Sequence, residues 1–240
     1  MQRRPRLNLI PVALAALTAL GFCQPIAAQL SSPSHSSSSG HVQKPAADGG
    51  IEPGTVVNGV YRNKALGLSC KIPEGWVLRT EEMNAKEEAQ RDQSPSDENS
   101  HVSQNQRDMG HPTSSEGSAN VLLAAFSRPP DARGEDVNSS IVIAAESVEA
   151  YPGLKEAAQY FGPLTEVATA QGFTVDEEPY EVEVGTRKLA RGDFHKDVGS
   201  RVMRQSTLVM LAHGYAVSIT VIGGTEDEVE QLIDGITIGK

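Results

Sequence analysis

The feature that most constrains the fold is a run of four apolar-rich segments towards the end of the chain. They are Tyr180 to Val184, Arg187 to Phe194, Met203 to Leu211 and Tyr215 to Ile222. Short turns separate them, with Gly185 in one and His213-Gly214 in another. Because connections this short join antiparallel strands, the sequence predicts an antiparallel sheet.

Further strands are predicted upstream of this meander. Apolar and polar residues alternate from 66 to 72, with Leu66, Leu68, Cys70 and Ile72 on one face, which indicates a half-buried strand. Residues 120–126 and 140–145 are short apolar runs, typical of neighbouring strands that are buried on both faces.

Two helices complete the predicted fold. Apolar residues recur every three or four positions from Leu154 to Ala168, which indicates an amphipathic helix with a kink or restart at Gly162-Pro163. A second stripe, from Val229 to Ile236, follows Thr225 and Glu228, which predict a capping box in which each side chain satisfies the other's amide. The sequence therefore predicts an α+β fold, an antiparallel β-sheet covered by helices.

The first 28 residues are typical of a secretory signal peptide. Three arginines precede an apolar run from 7 to 22, and small residues end at Ala28, where we expect cleavage. The run is shorter than the roughly 20 residues that cross a bilayer, so we expect no transmembrane span after cleavage. A lipid-modified Cys23 is the alternative, against which the large Phe22 argues. We expect the protein in the bacterial periplasm or outside the cell.

Two polar stretches divide the remaining chain. Residues 29–56 are rich in Ser, Pro and Gly and predict a disordered tether, because they hold too few apolar side chains to offset the entropy of ordering. Residues 81–118 predict a long polar insertion at the surface. The folded domain is accordingly expected at 57–240.

Composition excludes some classes of function. The formal net charge is -10, with 38% hydrophobic residues, and no basic patch compensates for the acidic excess. This favours a basic protein surface or cations as partners and disfavours nucleic acid. Only Cys70 remains after the expected cleavage, so no intramolecular disulfide is predicted.

A short motif near the start of the domain resembles the opening of PsbP-like domains. It consists of Tyr61-Arg62-Asn63, Leu66-Gly67-Leu68, Ile72-Pro73 and Gly75-Trp76. The resemblance extends over most of residues 60–238 and implies an α/β/α sandwich around an antiparallel sheet. It implies a fold more than an activity, because that superfamily contains photosystem subunits, a nuclear-import factor and many bacterial envelope proteins. The motif glycines and Trp76 are expected to be structural.

The strongest constellation for chemistry is Asp193, His195 and Asp197. They alternate along a predicted strand, so their side chains share a face and, with one further ligand, could hold a divalent cation. A solvated strand end with alternating charges explains the same pattern, and we favour that interpretation. His101, Asp108 and His111 are a weaker cation candidate within the polar insertion.

Other candidates have simpler structural explanations. We expect Cys70 to be a buried, inert thiol, since it lies on the apolar face of its strand. Gly223-Gly224-Thr225 precedes a helix and could bind an anion, but it lacks the lysine of a phosphate-binding loop, so we expect a turn and helix cap. The motifs of common hydrolases and nucleotide-binding proteins are absent from the sequence.

The leading hypothesis is an exported, non-enzymatic accessory or binding module of the bacterial envelope, with a protein partner there. We predict no cofactor, and a divalent cation at the Asp193 cluster is the alternative. The rival hypothesis is a metal-binding or metal-dependent hydrolase-type protein that uses Asp193, His195 and Asp197.

Overall fold

The computed structural model describes residues 51–92, 119–132, 134 and 136–239. The predicted signal peptide, the tether up to residue 50 and residues 93–118 of the polar insertion lie outside the described residues. Residues 51–56, which the sequence analysis assigned to the tether, belong to the fold: Ile51 is buried in the core and Thr55–Val57 is a strand. That boundary was wrong because these residues contribute apolar contacts and strand pairing.

Strands dominate the described chain. In chain order they are β1 (Thr55–Val57), β2 (Val60–Asn63), β3 (Leu68–Lys71), β4 (Val77–Leu78), β5 (Asn120–Phe126), β6 (Ser140–Ser147), β7 (Thr174–Val175), β8 (Tyr180–Val184), β9 (Arg187–Val198), β10 (Arg201–Ala212), β11 (Tyr215–Gly223) and β12 (Ile236–Ile238). The α-helices are α1 (Thr80–Asp92), α2 (Phe161–Ala170) and α3 (Glu226–Asp234). Two short 3-10 helices span Val148–Ala150 and Ala157–Tyr160.

The strands form two antiparallel sheets. Sheet A has the order β1-β2-β3-β12. Sheet B has the order β4-β5-β6-β11-β10-β9-β7, and β8 also pairs with β9. The predicted meander is confirmed as β8 to β11, and the predicted neighbouring strands at 120–126 and 140–145 are confirmed as the pair β5 and β6.

The main apolar core lies between the sheets. Sheet A and α3 pack against one face of sheet B, which we call its inner face. Strand alternation sends Val217, Ile219 and Val221 of β11 to this face, where they belong to the same buried cluster as Leu68 and Cys70 of β3. The α+β class is therefore confirmed, but a second sheet covers much of the inner face together with α3.

Helices cover the outer face of sheet B in two places. The turn at Ala157–Tyr160 and α2 pack Tyr160, Phe161 and Leu164 against strands β9 to β11. Met83 of α1 packs against a smaller cluster on β5 and β6. Within the described residues no helix is long and apolar enough to cross a membrane.

The predicted helix restart at Gly162-Pro163 is explained by the change from a 3-10 helix to an α-helix. The α-helix α2 begins at Phe161, so Pro163 lies in its first turn, where no helical hydrogen bond is lost.

Two other predictions need correction. Residues 81–92 of the predicted polar insertion are helical, because they belong to α1. The closing stripe ends earlier than predicted, because α3 stops at Asp234 and Ile236 belongs to β12, where it pairs with Cys70.

Gly192 allows close contact between α2 and β9. A Cβ built at this residue would stand 2.4 Å from the Phe161 ring, which is buried and fixed by its neighbours. We expect Gly192→Ala to lower the free energy of unfolding by about 1–3 kcal/mol, the usual cost of overpacking. Urea denaturation measures it.

Gly162→Ala is the matched control, since no atom lies within 4 Å of a Cβ there and its backbone is helical. This substitution should raise stability by up to about 1 kcal/mol. Equal stability of the two variants would contradict the packing described here.

Candidate functional site

The two sheets are joined along one side of the domain. The Thr186 amide donates to the Ile238 carbonyl over 3.0 Å, which links β12 to the turn between β8 and β9. Gly185 in this turn has φ 63°, and a Cβ there would stand 2.4 Å from the Ile238 oxygen. Glycine is needed for this approach.

The opposite side of the domain is open. There β1 is the outer strand of sheet A and β4 is the outer strand of sheet B, and no strand within the described ranges pairs with the free edge of either. Two cavities, of about 380 and 500 Å³, lie along this side. Val56 of β1 and Leu78 of β4 line both cavities. We call the two cavities together the seam groove.

The groove exposes residues that belong to the inner apolar layer. Val56 lies opposite Tyr61, and Leu78 lies opposite Ala125, and both of these partners are buried in the main core. Residues directly opposite each other in a sheet share a face, so Val56 and Leu78 point towards the core. They nevertheless remain 39% and 46% exposed. Both side chains therefore leave apolar surface of the inner layer exposed at this side of the domain.

The position of Leu78 is fixed by contacts between α1 and β5. The Ala124 amide donates to the Thr80 hydroxyl over 2.9 Å. One turn later, the Asn84 side chain donates to the Val121 carbonyl and accepts from the Val121 amide, both over 3.0 Å. These bonds fix the start of α1 against β5, and they thereby hold Leu78, which comes just before the helix, in position.

Trp76 forms part of the groove wall. Its ring packs partly against the main core and also lines the larger cavity. Trp76 therefore makes the predicted contact with the core and is also part of the surface of the groove. The preceding Gly75 has φ 83°, which places the tryptophan directly after the turn from β3.

Carboxylates outnumber cations around the seam groove. Glu74, Glu81 and Glu82 line it together with Lys71 and Arg79, and Arg79 is ion-paired with Glu82. The local balance has the same sign as the charge of the whole chain, -10. The charged side chains that line the groove therefore carry a net negative formal charge.

The predicted metal cluster does not converge. Asp193, His195 and Asp197 share one face of β9, as predicted, but His195 Nδ1 contacts Asp176 and Asp197 is exposed near the strand end. The described residues contain no group of three or more His, Cys, Asp or Glu side chains that could hold a metal ion. The second candidate set, His101, Asp108 and His111, lies outside the described residues. The metal site stays a prediction.

Asp193 is instead the centre of a hydrogen-bonded network. Its carboxylate accepts from Arg191 Nε over 3.0 Å, from the Tyr180 hydroxyl over 2.7 Å and from the buried Ser206 hydroxyl over 2.6 Å. Arg191 also pairs with Glu230 of α3. The network joins β8, β9, β10 and α3, so its contacts indicate a structural role.

Two other sequence candidates have structural roles. The Gly224 amide donates to the Glu228 carboxylate over 2.8 Å, so the chain's own carboxylate occupies the place of an anion. The Thr225 hydroxyl accepts from the Glu228 amide, as predicted, but the carboxylate binds Gly224 rather than the Thr225 amide. Cys70 is fully buried, and burial raises the pKa of its thiol to about 12.

A buried glutamate with two tyrosine partners was not predicted from the sequence. Glu146 of β6 is 2% exposed, and its carboxyl group accepts from the Tyr160 hydroxyl, with Tyr151 as a second partner. The two rings meet edge to face at 5.2 Å. Burial raises the pKa of Glu146 and outweighs the two tyrosine hydrogen bonds, which lower it. Only the fold brings these residues together.

No family model matches the chain, and no curated protein matches it in sequence. Among solved structures, LpqN of Mycobacterium tuberculosis, which is involved in cell envelope biogenesis, is 13% identical at a TM-score of 0.35, over 72% of this chain and 83% of LpqN. PA94 of Pseudomonas aeruginosa, a protein of unknown function, is 17% identical at 0.30, over 42% and 67%.

A Bacteroides thetaiotaomicron protein is 12% identical at a TM-score of 0.34, over 72% of this chain and 45% of that protein. All three TM-scores lie below 0.5.

The structural role of Asp193 can be separated from metal binding. We expect Asp193→Asn to lower the free energy of unfolding by about 1.5–3 kcal/mol, since it weakens hydrogen bonds to a charged group. His195→Ala should cost less than about 0.5 kcal/mol, because its pair with Asp176 is partly exposed. Urea denaturation with and without Zn²⁺ tests both. A zinc-dependent gain in stability that either substitution abolishes would contradict the structural role.

Glu146 should make stability depend on pH. Its pKa is raised in the folded chain from an ordinary value of 4.5, so folded Glu146 keeps a proton that the unfolded chain releases above that pH. This contribution to stability is complete below pH 4.5 and is lost as the pH rises through the folded-state pKa. The substituted side chain of Glu146→Gln does not titrate. The difference between the melting temperature of this variant and that of the wild type should therefore shift in favour of the variant as the pH rises.

The exposed Glu149→Gln is the control, and it should follow the wild type at every pH. A melting-temperature difference between Glu146→Gln and wild type that does not vary with pH would contradict the assignment.

Proposed function

We propose that this protein is an exported, non-enzymatic binding module of the bacterial envelope, and that its partner protein binds in the seam groove. The observation that carries the proposal is the exposure of Val56 and Leu78, two inner-face residues that line both cavities at the unpaired edges of the two sheets. A partner that covers them would extend the apolar layer between the sheets. Burial of this surface is the driving force for binding.

The contacts of the reactive side chains favour binding over catalysis. Ser206 is fully buried and donates to Asp193, and His195 contacts Asp176 rather than a nucleophile. The Cys70 thiol is buried and has a raised pKa, which disfavours its nucleophilic thiolate form. These engagements give no support to the hydrolase hypothesis.

The proposed location rests on the sequence. Residues 1–28 have the order of charged, apolar and small residues that directs export, and the periplasm or the cell exterior follows from it. We also propose that the domain is a PsbP-like α/β/α sandwich, and the motif from Tyr61 to Trp76 supports this. Within that motif Asn63 is structural: its side chain donates to the Glu52 carbonyl over 2.9 Å and accepts from the Leu66 amide over 3.1 Å.

Site-specific crosslinking tests the groove as the binding site. A photoreactive amino acid is placed at Leu78 or at Val198 of the full-length chain in its native host. Both positions are 46% exposed, but Val198 lies at the end of β9, away from the groove. We expect a crosslinked partner from position 78 and none from position 198.

Two matched substitutions make the test specific. Val56 and Val175 are both valines on edge strands and both 39% exposed. Val56→Ser should reduce the crosslinking yield at least several-fold, because it removes apolar surface from the groove. Val175→Ser should leave it unchanged. The same partner from positions 78 and 198, or a yield that does not respond to Val56→Ser, would overturn the proposal.

A further inference from the structure

The hairpin at the start of the domain determines which backbone groups face the groove. Val57 pairs with Val60 across the two-residue turn Asn58-Gly59, whose φ angles are 51° and 71°. In hairpins with such a turn, the flanking residues exchange both backbone hydrogen bonds. Because hydrogen-bonded and non-hydrogen-bonded pairs alternate, the next pair outwards, Val56 and Tyr61, is not hydrogen-bonded.

The amide and the carbonyl of Val56 therefore point away from β2, towards the free edge of sheet A. No backbone hydrogen bond to Val56 from outside its sheet occurs among the described residues. An outward-facing donor and acceptor on one residue is the arrangement to which an added strand pairs.

The side chains around this edge suit an extended segment. Val56 lies on the inner face of sheet A at its β1 edge, and Leu78 lies on the inner face of sheet B at its β4 edge. The Tyr61 and Leu122 side chains line the smaller cavity beside them. A strand placed on β1 would send alternate side chains into this apolar layer. A helix could fill the space but would leave the backbone groups of Val56 without partners.

The charge of the groove indicates the composition of the segment. Arg79 is paired with Glu82, so Glu74 and Glu81 remain against Lys71 alone among the lining charges. A segment with lysine or arginine beside its apolar residues would complement this balance and the chain's net charge of -10.

We propose that the partner contributes an extended, apolar and basic segment that adds to β1 as a new strand. The segment exchanges backbone hydrogen bonds with Val56 and buries alternate apolar side chains against Val56 and Leu78. This inference rests on the proposed function, because it names the class of partner that the seam groove binds.

Peptide selection on the full-length chain tests it. Random dodecapeptides are displayed on phage and selected on the purified protein, and binders are resynthesised with single N-methyl groups along the backbone. Strand addition predicts that methylation of the one peptide amide that donates to the Val56 carbonyl weakens binding by about tenfold, whereas methylation of the residue on either side of it does not. Affinity should also fall as salt is added.

Val56→Pro tests the other bond, in which the Val56 amide is the donor. Proline lacks the amide hydrogen but is tolerated on edge strands, so the variant should fold and lose at least tenfold in peptide affinity. Its melting temperature is the check on folding. If it does not fold, the N-methyl pattern alone decides.

The outcomes distinguish this inference from the function on which it rests. Strand addition is overturned, and the groove remains the binding site, if the peptides need Leu78 but no single backbone amide is sensitive to methylation. Need for Leu78 is shown by loss of binding in Leu78→Glu but not in Val198→Glu. If no selected peptide depends on Leu78, both proposals are overturned.

Discussion

The apolar layer between the two sheets is the interaction on which the rest of the structure depends. With no disulfide in the described chain, where the one cysteine, Cys70, is a free thiol, stability there comes from packing. The inner face of sheet B is covered by sheet A and α3. The outer helices pack on the other face of sheet B, and the Asp193 network ties β8, β9 and β10 to α3.

The same layer explains why a binding site exists. Its two sheets are held together at one side by the bond from Thr186 to Ile238, where Gly185 permits close approach. At the other side the short strands β1 and β4 end the sheets without pairing in the described part of the chain. The core is consequently open there, and Val56 and Leu78 are exposed because of how the sheets end.

Much of the fold could be predicted because strand alternation is a local signal. The period-two pattern from 66 to 72 and the meander both appear in the structure. The helix α1 was missed because Met83 is almost its only large apolar residue. Val56 was assigned to the tether, although Asn58-Gly59 between valines is a strong hairpin signal.

The groove itself could not have been predicted, because it depends on how two sheets meet. The measurement that tests the account most directly is hydrogen exchange of the full-length chain, alone and with its crosslinked partner. The account predicts slower exchange of the Val56 amide and of residues 77–82, with β7 unchanged. Unchanged exchange at Val56, or protection centred on β7 and α2, would contradict it.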